Sequence, residues 1–340
     1  MLDTSGSIVV TGPQGGMTLH FIESYYQKHP DNHLVLLVRD PSKVLPSLST
    51  MSNCTILRCD LSDLSSVRQA SQEITDRVKS GKLSPIECLV ESAAVQVCGP
   101  NGPRITQDGY EETVAVNHLA HFILTLDLLP SMKPQGRIVI VGSDSHRPNY
   151  KFIKIGPKYK PIESLLKVEP GTDPSGSGVD IGMARYSTSK LLQMMTGHEL
   201  ARRLKTSSKY KGIHVVMFNP GSMGGTGLFR DRSWIGRVIL GYVLNWTRLL
   251  NWLDPALMAS RKEDSAAVLE RLVEDPSYAL TEPIDEEGQT ISGVGAGAPY
   301  FDYAGNQAST LGEANEQEKC EELWRDSATL LGYSGEKALI

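Results

Sequence analysis

Short apolar runs alternate with longer, helically patterned stretches along the first two thirds of this chain, and that alternation constrains the fold more than any other feature. Ser7–Val10 (SIVV), His33–Val38 (HLVLLV), Cys54–Leu57 (CTIL), Ile86–Val90 (IECLV), Arg137–Val141 (RIVIV) and Ile213–Phe218 (IHVVMF) are rich in Val, Ile and Leu. Runs with apolar residues on both faces suit strands covered on both sides. Between them, Leu19, Ile22 and Tyr26 form one helical stripe, and Val67, Ile74 and Val78 another. Tyr110 to Leu129 carries Val114, Leu119, Phe122, Leu126 and Leu129, and a further stripe runs through Leu191, Met194 and Leu204. This order predicts an α/β protein with a doubly wound, mostly parallel sheet and helices on both faces.

Six such strands and their crossovers use the chain to about residue 220, so residues 1–340 read as a single domain. Two stretches break the repeat. Residues 144–182, rich in Pro, Gly, Lys and Tyr, separate the fifth strand from the next helix and read as an insertion loop. Residues 228–254 hold Trp234, Trp246 and Trp252 among aliphatic residues, and read as a helical lid whose aromatics line an apolar pocket. With Arg237 and Arg248, the same stretch also fits an amphipathic helix lying on a membrane. Asn315–Leu331 reads as a solvated helix with one apolar stripe.

Composition removes several classes of function. Lys plus Arg is 34 against 39 for Asp plus Glu, a net charge of −5, which excludes the broad basic field that holds nucleic acid. No run of 18 apolar residues occurs, so no membrane span is expected. The polar Met1–Gly6 leads straight into a strand, so no signal peptide is expected there. Five cysteines without a C-x-x-C pair support neither a disulfide framework nor a cysteine zinc site. A cytoplasmic protein is expected.

The first strand runs into Thr11-Gly12-Pro13-Gln14-Gly15-Gly16-Met17-Thr18. Glycines between a strand and a helix allow a tight turn, so that a pyrophosphate can approach the helix N-terminus. The second strand ends in Val38-Arg39-Asp40, where such folds meet the adenosine ribose. A carboxylate there binds a 2′-hydroxyl and an arginine favours a 2′-phosphate, so Arg39 points to NADP(H); the bland reading is a surface Arg39 paired with Asp40. Asp60, after the third strand, either faces the adenine or caps the following helix.

Tyr186-Ser187-Thr188-Ser189-Lys190 opens a helix. That separation puts Tyr186 and Lys190 on one helical face. A neighbouring ammonium stabilises phenolate, and lowering a tyrosine from about 10 by two or three pH units takes roughly 3–4 kcal/mol. A desolvated cation, helped by a positive nicotinamide ring, could supply that. Tyr186 would then exchange a proton with a substrate oxygen while hydride moves to or from carbon.

These motifs, in this order, resemble the short-chain dehydrogenase/reductase family over about residues 7–230. The family's T-G-x-x-x-G-x-G, N-N-A-G turn, helical Asn, strand-end Ser, Y-x-x-x-K and P-G turn read here as Thr11-Gly12…Gly16, Glu91-Ser92-Ala93-Ala94, Asn117, Ser143, Tyr186/Lys190 and Pro220-Gly221. The resemblance implies a Rossmann-type sheet in which Tyr186 is the acid/base and Ser143 bonds the reacting oxygen. It implies that Lys190 lowers the tyrosine and holds the nicotinamide ribose, and that Asn117 holds a relay water. Thr11, Gly12, Gly16, Arg39, Asp60, Ser92, Tyr186, Lys190, Pro220, Gly221 and Thr226 are the expected cofactor-binding residues. Family members pair through the helices carrying Asn117 and Tyr186, which implies a homodimer; the 144–182 insertion stands as an obstacle to it.

Val116-Asn117-His118-Leu119-Ala120-His121-Phe122 is similar to the V-N-H-L-G-H-F of retinol-dehydrogenase-like members, and Val38–Lys43 to their C-R-D segment. Pro220–Arg230 is similar to the P-G-C-x-x-x-T-G-L-F-R of protochlorophyllide reductases, as is the wide gap between Ser143 and Tyr186, with Ser222 in place of the cysteine. Three residues depart from the family pattern. Thr18 replaces the third glycine, Ser92 the turn's asparagine, and Glu91 a small or neutral residue. His118 and His121 lack further ligands at metal spacing and read as packing or surface histidines, so no metal is expected. Ser145 is a second candidate for the serine's role, behind Ser143. Cys59 and Cys88 adjoin strands and read as inert core residues.

The expected function is an NADP(H)-dependent oxidoreductase interconverting a ketone or aldehyde and an alcohol on an apolar small molecule, steroid-, retinoid-, polyketide- or terpenoid-like. Natural-product biosynthesis is a setting in which reductases of this build occur. Two alternatives stand beside it: a carbon–carbon double-bond reductase of the same fold, and an inactive dinucleotide-binding scaffold or sensor.

Overall fold

The computed structural model describes residues 6–98, 102–151, 153–168, 178–224, 247–254, 258–335 and 340. One sheet of eight strands runs through it: β1 (Ser7–Thr11), β2 (His33–Val38), β3 (Cys54–Arg58), β4 (Ile86–Glu91), β5 (Met132–Val141), β6 (His214–Phe218), β7 (Tyr300–Phe301) and β8 (Gln307–Ala308). Their order is β3-β2-β1-β4-β5-β6-β7-β8, with β1 to β7 parallel and β8 antiparallel. The chain reverses direction across the sheet between β1 and β4, so the crevice beyond Thr11 and Glu91 is the switch point where such sheets bind ligands. The doubly wound α/β fold expected from the strand–helix alternation is therefore present.

Successive residues of each strand point to opposite faces, and both faces are buried. Ile8 and Val10 of β1 join Leu34, Leu36, Val139 and Val216 under helices α1 (Gly16–Lys28) and α6 (Lys262–Glu274). Val9, Val35, Leu89 and Ile138 face the other way. They pack under α2 (Leu64–Lys79), α3 (Ala120–Leu128), α4 (Gly178–Thr206) and α7 (Gln317–Leu330), with α5 (Thr247–Leu253) lying between α4 and α6 in sequence. Cys59 and Cys88 lie in these cores.

Several boundaries differ from the sequence reading. Strand β5 begins at Met132, ahead of the expected Arg137, and β7 and β8 were not expected because two-residue strands carry no periodicity. Within the 144–182 stretch, a turn at Asp144–His146 and a short helix Ile162–Leu166 pack down, with Ile162 and Leu166 buried and the Leu166 carbonyl accepting from Glu111 N–H at 2.9 Å. Most of the 228–254 lid lies outside the described residues; in its described end, Trp252 is 78% exposed. The stretch Glu112–Ser131 is long and apolar enough to cross a bilayer, but 89% of its most apolar window is buried against the rest of the chain.

Helix α7 covers the face that the family resemblance assigns to pairing. Trp324 meets Phe122 edge-on at 4.8 Å, Ser327 bonds His118 at 2.9 Å, and the Arg203 guanidinium lies 5.0 Å over the Trp324 ring.

Candidate active site

The turn after β1 is shaped by the turn after β4. Gly12 has φ +63°, and a Cβ there would stand 2.9 Å from Ala93 Cα, so only glycine allows the two turns to touch. Thr11 is fully buried, and its hydroxyl accepts the N–H groups of Ser92 (2.9 Å) and Ala93 (3.0 Å). The same hydroxyl lies 3.1 Å from His121 Nε2, while His121 Nδ1 lies 3.1 Å from the Asn117 carbonyl. Burial pushes His121 down to about 4, so the ring is neutral. The tautomer that satisfies every partner carries its proton on Nδ1, donates to Asn117, and accepts the Thr11 proton at Nε2. The Thr11 side chain, expected to hold the cofactor, is thus a strut between β1 and the β4 turn.

Helix α1 opens at Gly16 without a side-chain cap and without an acidic residue in its first turn. Its leading N–H groups and dipole suit an anion. Gln14 steadies this turn by accepting Leu45 N–H at 2.9 Å. Arg39 projects exposed from the end of β2, and Asp40 pairs with Lys43 at 2.9 Å instead of with Arg39. Asp60 accepts from Ser62 N–H (3.0 Å) and hydroxyl (2.7 Å), and the cap of α2 is Asp63. Pro220-Gly221 forms the opposite wall; Gly221 has φ +74°, and a Cβ there would meet the Met258 carbonyl at 2.5 Å. Thr226 lies outside the described residues. The glycine cradle, the uncapped helix and the exposed arginine fit a dinucleotide.

The remaining candidates converge beyond β4 and β5. Tyr186 is 6% exposed, and Ser143 lies close enough to its phenol to favour the phenolate. Ser145 instead gives its backbone N–H to Ser143 Oγ at 3.2 Å. His146 bonds the Ser143 carbonyl at 2.7 Å, and Asp144 is held by the Tyr300 hydroxyl at 2.7 Å and Arg147 at 3.1 Å, which fixes the turn. Lys190 is buried on the same face of α4, its Nζ 5.8 Å from the Tyr186 ring centre. That ammonium donates to the Val141 carbonyl (2.9 Å) and Gln193 Oε1 (2.8 Å).

The acidity of Tyr186 runs against expectation. Burial pushes its phenol above the ordinary tyrosine value, outweighing the lowering influence of Ser143. Burial also lowers Lys190, and the buried Glu91 carboxylate opposes that change. A desolvated amine bonded to a carbonyl and an amide does not by itself acidify the phenol. Glu91 does not face the cofactor crevice: it is buried, pushed up to about 8 by desolvation, and accepts from Thr125 Oγ1 at 2.6 Å.

Asn117 sits in a π-helical turn, Ala115–Leu119, of the kind that marks functional sites. Its Oδ1 accepts Val95 N–H at 2.8 Å, and its Nδ2 donates to the Val95 carbonyl (3.0 Å) and Ser189 Oγ (2.9 Å). The side chain brackets the β4 turn to α4, leaving its carbonyl as the group for a relay, already met by His121. His118 and His121 are both buried. Sequence reasoning missed Tyr150, whose phenol is itself raised by burial, with Ser222 acting the other way, and lies near enough to Tyr186 to raise it. Tyr150 lies in the insertion, where no motif points to it.

The switch-point sheet and the Ser–Tyr–Lys grouping at its crest define a Rossmann-type oxidoreductase. The family model for short chain dehydrogenases matches residues 7–154. Short-chain dehydrogenase iccH of Talaromyces variabilis is 28% identical, with 96% of this chain and 95% of that protein covered. The chloroplastic protochlorophyllide reductase of Pisum sativum is 28% identical over 97% of this chain and 78% of that protein. An uncharacterised Mycobacterium paratuberculosis protein has the same fold, with a TM-score of 0.58 at 20% identity over 98% of this chain and 97% of its own. The chain is thus similar to the short-chain dehydrogenases over residues 7–154, and over nearly its whole length to proteins that include protochlorophyllide reductases.

Proposed function

We propose that the protein is an NADP(H)-dependent reductase or dehydrogenase of an apolar carbonyl/alcohol pair, with Tyr186 as its acid/base. The observation that carries this reading is the grouping of Ser143, Tyr186 and Lys190 at the switch point, with Ser143 near enough to lower the phenol and Lys190 Nζ 5.8 Å from the Tyr186 ring centre. Gly12, Gly16 and Pro220-Gly221 would hold the dinucleotide, and Arg39 would meet a 2′-phosphate. When bound, the dinucleotide supplies the hydride and, oxidised, a positive ring beside the phenol. Ser143 orients the substrate oxygen, Tyr186 gives or takes its proton, and Lys190 and Glu91 set the charge behind it.

A raised tyrosine suits the reductive direction, because a neutral phenol holds the proton that a reduced carbonyl needs. Tyr186→Phe should abolish turnover of a ketone panel and leave NADPH affinity within about twofold. Wild-type turnover in that variant sinks the mechanism.

A carbon–carbon double-bond reductase is the second reading, supported by the protochlorophyllide reductases among the relatives. Matched enones and saturated ketones separate the two by the product formed. The scaffold reading rested on Thr18 and Ser92, and these residues bond each other at 2.6 Å.

A further inference from the structure

We infer that Gln193 is a positioning residue whose amide oxygen holds the Lys190 ammonium at the end of β5, beside the Tyr186 ring. This rests on the acid/base reading of Tyr186 and Lys190, and adds to it a residue that no motif marks. Lys190 and Gln193 stand one helical turn apart on α4, on the same face. Lys190 is 2% exposed and Gln193 3%, so neither side chain is served by bulk water.

A lysine ammonium has three N–H donors and no acceptor. One goes to the Val141 carbonyl at 2.9 Å, which ties α4 to β5 just ahead of Ser143, and one to Gln193 Oε1 at 2.8 Å. The carbonyl belongs to the backbone and is present whatever side chain stands at 193; Gln193 completes the grip. Together they fix Nζ 5.8 Å from the Tyr186 ring centre and leave the third donor for the ribose of the proposed dinucleotide.

Lys190 dictates how the amide is turned. Because the ammonium only donates, Oε1 must face Nζ, and Nε2 goes the other way. Among the described residues, that Nε2 is buried and meets no acceptor. An unmet buried donor destabilises a fold, and a methionine of similar length would avoid it. The amide is therefore a poor packing choice and a good ammonium acceptor. The titratable groups facing Lys190 are Glu91 from β4, pushed up to about 8 by burial, His121 from α3, held neutral, and Tyr186 from α4 itself, held as the phenol. Below about pH 8 none of them brings a full negative charge, so the ammonium depends on its neutral acceptors.

NMR of the full chain, with lysine carbon-labelled at Cε, follows each ammonium as it loses its proton, and the signal missing from Lys190→Met identifies Lys190. Gln193→Met should lower the pH at which Lys190 loses its proton by about one pH unit, while melting no lower than the wild type. Gln193→Glu keeps an acceptor oxygen in place and should titrate at or above the wild-type value. A methionine variant with Lys190 unmoved, a glutamate variant as low as the methionine one, or a methionine variant that melts well below the wild type would overturn the assignment. With NADPH and any ketone that the wild type reduces, the alkaline limb of kcat/KM should move with the NMR value in each variant; a limb that ignores both substitutions takes Gln193 out of the reaction. A wild type that reduces no ketone removes the acid/base reading, and the NMR titration still decides whether Gln193 holds Lys190.

Discussion

The hydroxyls of Thr18 and Ser92 face each other at 2.6 Å, one on α1 and the other on the turn after β4. These are two of the positions at which the chain departs from the short-chain dehydrogenase/reductase pattern of a third glycine and a turn asparagine. Read along the chain, each departure weakens the cofactor crevice by itself. In space they are one exchange: a branched hydroxyl fills room on the helix, and a shorter side chain on the turn leaves that room and takes the hydrogen bond.

A double-mutant cycle tests this exchange. Thr18→Gly and Ser92→Asn should each cost stability, the first by roughly 1–2 kcal/mol from a lost partner and added backbone freedom. The double variant restores the family pattern, and should fall short of the summed losses by about 1 kcal/mol in urea unfolding. Strict additivity would show that the two residues do not act as a unit.

Arg39 carries the cofactor choice. Its guanidinium is exposed beyond β2, and Asp40 is occupied by Lys43. Arg39→Asp should weaken NADPH roughly tenfold or more and improve NADH, since a carboxylate repels a 2′-phosphate and accepts from a 2′-hydroxyl. Competition binding that shows unchanged selectivity would detach Arg39 from the ribose.

Glu91 is placed to act through Lys190. Burial holds its own carboxyl at about 8, and once ionised its charge raises Lys190 against the lowering caused by burial. Glu91→Gln keeps the Thr125 contact and removes that charge, so Lys190 should lose its proton at a lower pH than in the wild type. The alkaline limb of the kcat/KM profile should move to lower pH accordingly. A limb that stays in place would separate Glu91 from the chemistry.

Buried histidines make the fold sensitive to acid. Burial pushes His118 and His198 down to about 3, and His121 and His146 down to about 4. In the unfolded chain these rings take up protons near pH 6.5, whereas the folded chain keeps them neutral. Their contribution is therefore complete above about pH 6.5 and is lost as pH falls through the folded values. Urea unfolding between pH 7 and pH 4 should show stability dropping with proton uptake by the unfolded state, and His118→Gln should flatten that slope by about one proton.

Much of this was written in local order. Alternating apolar runs demand covered parallel strands, a glycine turn after the first of them demands close backbone approach, and the spacing of Tyr186 and Lys190 places them on one helical face. Those are properties of neighbours in the chain, and six of the eight strands followed from them. Strands β7 and β8 did not, because two residues have no period. The direction of the Tyr186 shift did not either, because desolvation sums over every group that closes around the phenol, Tyr150 and Ser143 included. Thr18 with Ser92 and Lys190 with Glu91 are pairs far apart in sequence. The chain alone determined six strands of the sheet and the order of the motifs along them. Only the packed structure decided what each of them touches, because hydrogen bonds and burial act across space and leave no period along the chain.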